Sequence, residues 1–133
     1  MALILDTNAL SAFADGNEKF RDALPDVEDF AIPAVVLGEY LFGIERSRFR
    51  ARYEAWLKQF LSRSILLPVG ELTAQHYASI RSELKALGRP IPTNDLWIAA
   101  SALEHGAALL TRDAHFSHID GLRCGQRLED FLP

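Results

Sequence analysis

The sequence predicts an α/β protein: a three-layer α/β/α sandwich around a mainly parallel sheet of four to five strands. Short apolar runs alternate along the chain with longer segments of helical periodicity. Proline and glycine residues, which start and stop helices, separate these segments. The 133 residues and 49% hydrophobic content suit one compact core. We therefore expect a single domain over residues 1–133, with right-handed crossovers that place helices on both faces of the sheet.

The predicted strands are short runs of apolar residues, and they lie at 2–5, 29–34, 64–69 and 107–111. The predicted helices lie between these strands, at about 7–16, 17–24, 33–46, 48–63, 71–87 and 93–106. Pro33 suits the first turn of its helix, and Gly88 is a stop signal. The pattern is weaker towards the end of the chain, where 122–125 is a candidate edge strand before a short tail.

Capping residues define the ends of two helices that matter below. Asp6 or Thr7 can cap the first helix, because a side-chain oxygen there can accept from the free backbone N–H groups. Thr93 or Asn94 is the expected N-cap of the helix that ends at Gly106.

Composition excludes several classes of protein. Fourteen Lys and Arg against eighteen Asp and Glu give a net charge of −4, so a polyanionic partner requires a local basic patch or bridging cations. Cys124 is the only cysteine, which excludes an internal disulfide and a cysteine-rich zinc site. No apolar run approaches the roughly 20 residues that span a bilayer. We expect a cytoplasmic protein without a membrane association.

Four acidic residues lie in apolar segments or directly behind predicted strands. Asp6 ends the first strand and Asp113 follows the fourth, so both are expected at the carboxyl edge of the sheet, where ligands of such sheets bind. Asp95 and Glu39 interrupt largely apolar helices. Each residue alone also has a structural interpretation, as a helix cap, a macrodipole partner or one half of a buried ion pair.

Together the four carboxylates would repel one another without a cation, and no lysine lies beside any of them in the sequence. A divalent ion is the economical answer. Oxygen ligands suit Mg²⁺ or Mn²⁺, which keep coordination positions open for a phosphate oxygen and a water. The pattern therefore indicates phosphodiester hydrolysis.

These residues resemble the PIN-domain family, and within it the VapC-like toxins of toxin–antitoxin pairs. The resemblance covers nearly the whole chain and lies in "LILDTNAL", "IPAVVLGEYLFGI", "TNDLWIAASALEHGAALLTRDAHF" and a closing "GL". It implies that Asp6, Glu39, Asp95 and Asp113 form the acidic metal site, with Asp6 and Asp95 as the surest metal ligands.

The resemblance also implies partners and supporting residues. Asn8 and Thr111 match the supporting polar positions of the family. A metal-dependent endoribonuclease activity is implied, together with an RNA substrate, a cognate antitoxin that blocks the active-site groove, and a homodimer.

Three alternatives remain open at this point. A phosphatase of the haloacid dehalogenase type also begins with a strand ending in Asp, but it requires a second acid where this chain has Asn8. A PIN-like nuclease with a role other than a toxin, or a catalytically silent module that binds RNA or protein, would fit the same fold. A silent module would not need all four acids.

Several other residues have weaker functional interpretations. Arg46, Arg50 and Arg89 are candidates for RNA-backbone contacts, with Arg46 and Arg50 expected four residues apart on one helix. His115 and His118 are expected to be exposed loop residues rather than metal ligands. The apolar residues between Tyr40 and Trp56 are expected mostly in the core, but they exceed what a small core needs, so a dimer or antitoxin interface is the alternative for part of them.

Overall fold

The computed structural model describes residues 2–16 and 29–131. Five strands are found there: β1 Ala2–Leu5, β2 Asp29–Pro33, β3 Ser64–Leu67, β4 Ala108–Leu110 and β5 Cys124–Gly125. The described ranges also contain five α-helices: α1 Thr7–Ala14, α2 Ala34–Ile44, α3 Arg50–Ser62, α4 Glu71–Ala86 and α5 Thr93–His105. Two short 3₁₀ helices follow, Ala114–His118 and Leu128–Phe131.

The five strands form one parallel sheet in the order β3-β2-β1-β4-β5. The predicted α/β fold with a parallel sheet is therefore confirmed. From β1 the chain adds β2 and β3 on one side, and then returns to add β4 and β5 on the other. This arrangement creates a topological switch point between β1 and β4, where open α/β sheets bind their ligands.

The central strands are covered on both faces. Leu3, Ile4 and Leu5 of β1 have no exposed surface, and every residue of β4 is buried. Strands of a parallel sheet that are buried on both faces read as continuous apolar runs, which is why the sequence revealed them. Any charged side chain at the ends of these strands is therefore placed at the boundary of a dry core.

Aromatic side chains fill much of the core beside β2. Phe13 packs edge-on against Phe30, with 5.2 Å between the ring centroids. Trp56 stacks on Phe60 at 4.9 Å, and Tyr40 lies 6.3 Å from Trp56. These contacts join α1, α2 and α3 to one another and hold the helices that frame one side of the functional site.

Some predicted boundaries are wrong. Helix α2 ends at Ile44, so Arg46 lies in the turn before α3 and does not share a helix with Arg50. The N-cap of α5 is Pro92, which forms no side-chain capping bond, while Thr93 and Asn94 are already helical. The amide of Asn94 instead hydrogen-bonds Glu39, a contact that no local pattern could indicate.

Other expectations hold or fall outside the described ranges. Gly106 ends α5 in the left-handed conformation, at φ 58°, as predicted. Asp6 rather than Thr7 is the N-cap of α1. The helix predicted at 17–24 lies outside the described residues. Within the described ranges, every helix is too short or too polar to cross a bilayer.

Candidate active site

Asp6 lies at the switch point of the sheet and is held there from several sides. Its backbone N–H donates to the carbonyl of Leu110 at the end of β4, at 2.9 Å. Its Oδ1 caps α1 by accepting from the backbone N–H of Thr7 at 2.7 Å. Only 5% of Asp6 is exposed. The strand end and the helix cap therefore fix one carboxylate at the edge of the core.

Thr111 and Asn8 connect Asp6 to the loop that follows β4. The buried Thr111 hydroxyl donates to Oδ2 of Asp6 at 2.6 Å and accepts from the backbone N–H of Asp113 at 3.0 Å. Asn8 makes a long hydrogen bond of 3.5 Å to the same Oδ2, and its own Oδ1 accepts from the backbone of Arg112 at 3.1 Å. The two predicted supporting residues thus lie beside Asp6 and fix the loop that carries Asp113.

Asp95, Asp113 and His115 converge beside this strand edge. Nδ1 of His115 lies 2.8 Å from Oδ2 of Asp95 and 3.0 Å from Oδ2 of Asp113. One ligand atom from each of the three residues lies within 4.8 Å of the other two. Asp113 also caps the first 3₁₀ helix through the backbone N–H of His115. This cap turns the imidazole back towards the two carboxylates.

Charge repulsion and burial both act on this group. The pKa of Asp95 is raised, mainly by burial and further by the charges of Asp6 and Asp113, while the hydrogen bond from His115 opposes the increase. The pKa of His115 is raised by its hydrogen bond to Asp95 and by the charges of the three aspartates. The charges of Asp6 and Asp113 therefore disfavour the ionised form of Asp95, and a cation relieves that repulsion.

Glu39 lies at the rim of the group rather than within it. Its Oε1 accepts from the hydroxyl of Thr7 at 3.1 Å, and its Oε2 accepts from the amide of Asn94 at 3.4 Å. These bonds connect α2 to the first turns of α1 and α5. The half-buried carboxylate is therefore held in place by hydrogen bonds, in keeping with the expectation that it is not free in solvent.

We call Asp6, Asp95 and Asp113, with Glu39 at their rim, the acidic cluster. Among the described residues, the ligand atoms close enough to share one metal ion come from Asp95, Asp113 and His115, and that group includes neither Asp6 nor Glu39. Two of its three donors are carboxylate oxygens, the ligands that hard divalent ions prefer. The residues present therefore fit a divalent cation.

His115 is the residue that sequence reasoning undervalued. About half of its side chain is exposed, yet it contacts two of the predicted acids. His118, by contrast, faces Arg89, with 2.9 Å between Nε2 and a guanidinium nitrogen. The sequence feature that could have indicated this contact is the two-residue spacing between Asp113 and His115. An aspartate that caps a turn accepts from the backbone N–H two residues later and so brings that residue close to its carboxylate.

The candidate RNA-binding arginines are placed differently from one another. Arg89 lies beside His118, and His118 belongs to the 3₁₀ helix that follows Asp113. Arg50 pairs with Glu54 at 2.6 Å, so its charge is partly compensated. Arg46 is exposed in the α2–α3 turn, and within the described ranges it forms no ion pair.

The family is established by comparison with known proteins. A model of the PIN domain matches residues 3–122 of this chain. The chain belongs to the PIN-domain family. Within this family it is similar to VapC proteins. Ribonuclease VapC2 of Rickettsia felis is 30% identical over 117 residues, which cover 85% of this chain and 87% of that protein.

Two further similarities concern one named nuclease and one solved complex. The tRNA(fMet)-specific endonuclease VapC of Shigella flexneri is 34% identical over 93 residues, covering 69% of this PIN-domain chain and 70% of the relative. A chain in the crystal structure of VapBC2 from Rickettsia felis, bound to a DNA fragment from its promoter, superposes with a TM-score of 0.83. It is 28% identical, and the match covers 94% of this chain and 98% of that one.

Proposed function

We propose that this PIN-domain protein is a divalent-metal-dependent endoribonuclease that acts as the toxin of a toxin–antitoxin pair. The convergence of Asp95, Asp113 and His115 beside the buried Asp6 carries the proposal. The relatives named ribonucleases support it, because they match over most of the chain. Mg²⁺ or Mn²⁺ is the proposed ion, since the donor set is dominated by carboxylates.

The proposed reaction is hydrolysis of an RNA phosphodiester. A bound Mg²⁺ or Mn²⁺ supplies positive charge that stabilises the charge developing on the phosphate. Asp6 and Asp95 are assigned as the principal ligands of the ion. The hydrogen bond from Thr111 holds the Asp6 carboxylate in place. His115 positions Asp95 by a hydrogen bond through Nδ1, and the same nitrogen lies 3.0 Å from the Asp113 carboxylate.

Glu39 and Asp113 are the remaining groups that can act on water. Thr7 and Asn94 hold Glu39 at the rim, where its carboxylate can orient a water and accept its proton. The water oxygen bonds to phosphorus as the ester P–O bond breaks. One product then ends in a phosphate and the other in a hydroxyl.

An antitoxin partner is proposed on two grounds. The solved relatives include VapBC toxin–antitoxin complexes. In addition, Leu41 and Phe42 expose 42% and 80% of their surface on α2, the helix that carries Glu39. Apolar surface on the helix that carries Glu39 suits a segment of a partner protein that docks on this helix. The homodimer is proposed from the family alone, and light scattering of the purified protein tests it.

Expression of the protein without its genomic neighbour tests the toxin function. Growth arrest and discrete RNA fragments are expected for the wild type, and Asp6→Asn should abolish both. Asp120→Asn is a matched control, because Asp120 is exposed and lies outside the acidic cluster. Unimpeded growth with intact RNA would favour a silent binding module, whereas RNA cleavage without arrest would favour a nuclease with another role.

A purified assay isolates the chemistry from the cell. One relative is named a tRNA(fMet)-specific endonuclease, so initiator tRNA is the first substrate to assay. Cleavage should require Mg²⁺ or Mn²⁺, stop with EDTA, and be lost in Asp95→Asn. Equal cleavage by Asp6→Asn and the wild type would contradict the assignment of the acidic cluster.

A further inference from the structure

A hydroxyl-lined cavity adjoins the acidic cluster between α1, α2 and the start of α3. Its volume is about 220 Å³, whereas one water needs roughly 10–15 Å³ on this kind of measure. The polar side chains in its wall include Thr7, Ser11, Asp15, Tyr40, Ser47 and Tyr53. Glu39 also lines it, and its hydrogen bond to Thr7 joins the cavity to the rim of the acidic cluster.

Asp15 and Tyr53 form a polar pair in the cavity wall. Tyr53 donates to Oδ1 of Asp15 at 3.0 Å, and no described residue donates to Oδ2 of Asp15. Tyr40 also lines the cavity, but its hydroxyl is buried and has no partner within the described ranges, so it lies behind the cavity surface. The exposed carboxylate of Asp15 therefore offers an acceptor to a ligand that donates a hydrogen bond.

Charges in and around the cavity restrict what it can hold. Among the described residues its wall carries the carboxylates of Asp15 and Glu39 and no Lys or Arg, so these residues favour hydrogen-bond donors and disfavour a phosphate. Arg52 directly precedes Tyr53 on α3, and its charge opposes the increase in the pKa of Tyr53 that the bond to Asp15 causes. Arg48 and Arg52 both contact the Phe49 ring, at 4.9 and 5.7 Å.

We propose that this cavity binds a nucleobase adjacent to the scissile phosphate of the RNA, and that Asp15 and Tyr53 read an amino group on the base. This inference rests on the proposed ribonuclease function. The scissile phosphate lies at the acidic cluster, the uncharged base enters the cavity, and the next phosphates meet Arg48 and Arg52. A carboxylate accepts from the exocyclic amino groups of adenine, cytosine or guanine, whereas uracil offers only its ring N3–H, which lies between two carbonyl oxygens that the carboxylate repels.

A basic segment of an antitoxin is the competing occupant. Its positive charge would suit Asp15 and Glu39, but Arg48 and Arg52, which both contact Phe49 one turn before Tyr53, would repel it. An RNA strand carries both uncharged bases and phosphates. A base can therefore occupy the cavity while a neighbouring phosphate contacts the arginines. The order of charges along this surface therefore favours RNA.

Cleavage of a pool of short RNAs with randomised sequence tests the proposal, with sequencing of the product ends. The wild type should prefer a base with an amino group over uracil at one fixed position beside the cut. Asp15→Asn and Tyr53→Phe should reduce that preference about 5- to 100-fold, the range of one specific side chain–base contact. Tyr40→Phe should leave the base preference unchanged and should not lower Tm, because the hydroxyl it removes is buried and unpaired.

Tyr77→Phe is the matched control, since Tyr77 stacks on Trp97 and does not line the cavity. Its cleavage pattern should equal that of the wild type. A wild-type preference unchanged in Asp15→Asn and Tyr53→Phe, or no preference at all, overturns the inference while the ribonuclease function stands. Loss of neutralisation by the cognate antitoxin with an unchanged cleavage pattern also overturns it, and assigns the cavity to the antitoxin. Failure of the ribonuclease function itself is distinct: the wild type and Asp6→Asn would then both leave RNA intact.

Discussion

The hydrogen bond from Thr111 to Asp6 tests the geometry at the centre of the acidic cluster. Thr111→Val keeps the shape of a side chain that is only 2% exposed and removes its hydroxyl. Asp6 then loses a 2.6 Å bond, and the backbone N–H of Asp113 loses its acceptor. A hydrogen bond to a charged group contributes about 1.5–3 kcal/mol. With the second loss included, we expect a destabilisation of about 2–3 kcal/mol.

Thermal unfolding followed by circular dichroism, in EDTA, measures this loss. An unfolding entropy of about 0.28 kcal/mol/K for 133 residues converts it to a fall in Tm of about 7–11 °C. Thr7→Val is the control, because its bond to Glu39 is longer, at 3.1 Å, and less buried, so its cost should stay below about 1 kcal/mol.

A double-mutant cycle separates the charge of Asp6 from the packing of Thr111. In an Asp6→Asn background the acceptor is neutral, but the bond from the Asp113 N–H is lost as before, so Thr111→Val should cost about 1–2 kcal/mol. The coupling energy is then about 1 kcal/mol. If Thr111→Val costs no more than Thr7→Val, or if the cycle shows no coupling, the arrangement at the end of β1 is not as described.

Four further predictions concern metal binding, charge and backbone. At about 100 times its Kd, Mn²⁺ or Mg²⁺ should stabilise the wild type by about 2.7 kcal/mol, near 10 °C by scanning fluorimetry, and EDTA should reverse the shift; no shift would contradict the metal site. Asp95→Asn should lose that shift in Tm. In EDTA at pH 7 its Tm should equal or exceed that of the wild type, because the substitution removes a partly buried charge that Asp6 and Asp113 repel. A lower Tm would contradict this repulsion between the carboxylates. Gly106→Ala should cost about 1 kcal/mol in urea unfolding, because φ is 58° there, whereas Gly38→Ala, in a helix with open space around it, should be neutral or stabilising. The pKa of Asp130 is lowered by hydrogen bonds from the backbone N–H groups of residues 127 and 126, so its contribution to stability is present above its ordinary pKa and disappears as pH falls through the lowered value. The stability of Asp130→Asn should therefore differ from that of the wild type at pH 7 and converge with it in acid. A difference in stability that does not depend on pH would refute this.

The sheet could be predicted from sequence because its central strands are buried on both faces. Leu3, Ile4 and Leu5 form a run that neither an exposed strand nor an amphipathic helix would show. The same burial made Asp6 conspicuous, since a carboxylate behind such a run requires partners. The helix ends were less predictable: Arg46 was placed on a helix, although α2 stops at Ile44.

The acids were predictable as a set, but their mutual arrangement was not. Position along the strands indicates that Asp6 and Asp113 share an edge, because parallel strands end on the same side. No pattern indicated that Glu39 lies at the rim, held by Thr7 and Asn94 across 32 and 55 residues of sequence. The metal-ligand roles of all four acids stay predictions until metal binding is measured.

The sequence by itself determined the α/β class, the strands and the acids proposed as a metal site, because apolar periodicity and a charge beside a buried run are local properties. Only the tertiary structure decided which groups meet. His115 joins Asp95 across 20 residues, and Tyr53 joins Asp15 across 38. Hydrogen bonds and charge interactions depend on distances of a few ångströms, and the crossover connections of the sheet set those distances between residues far apart in the chain.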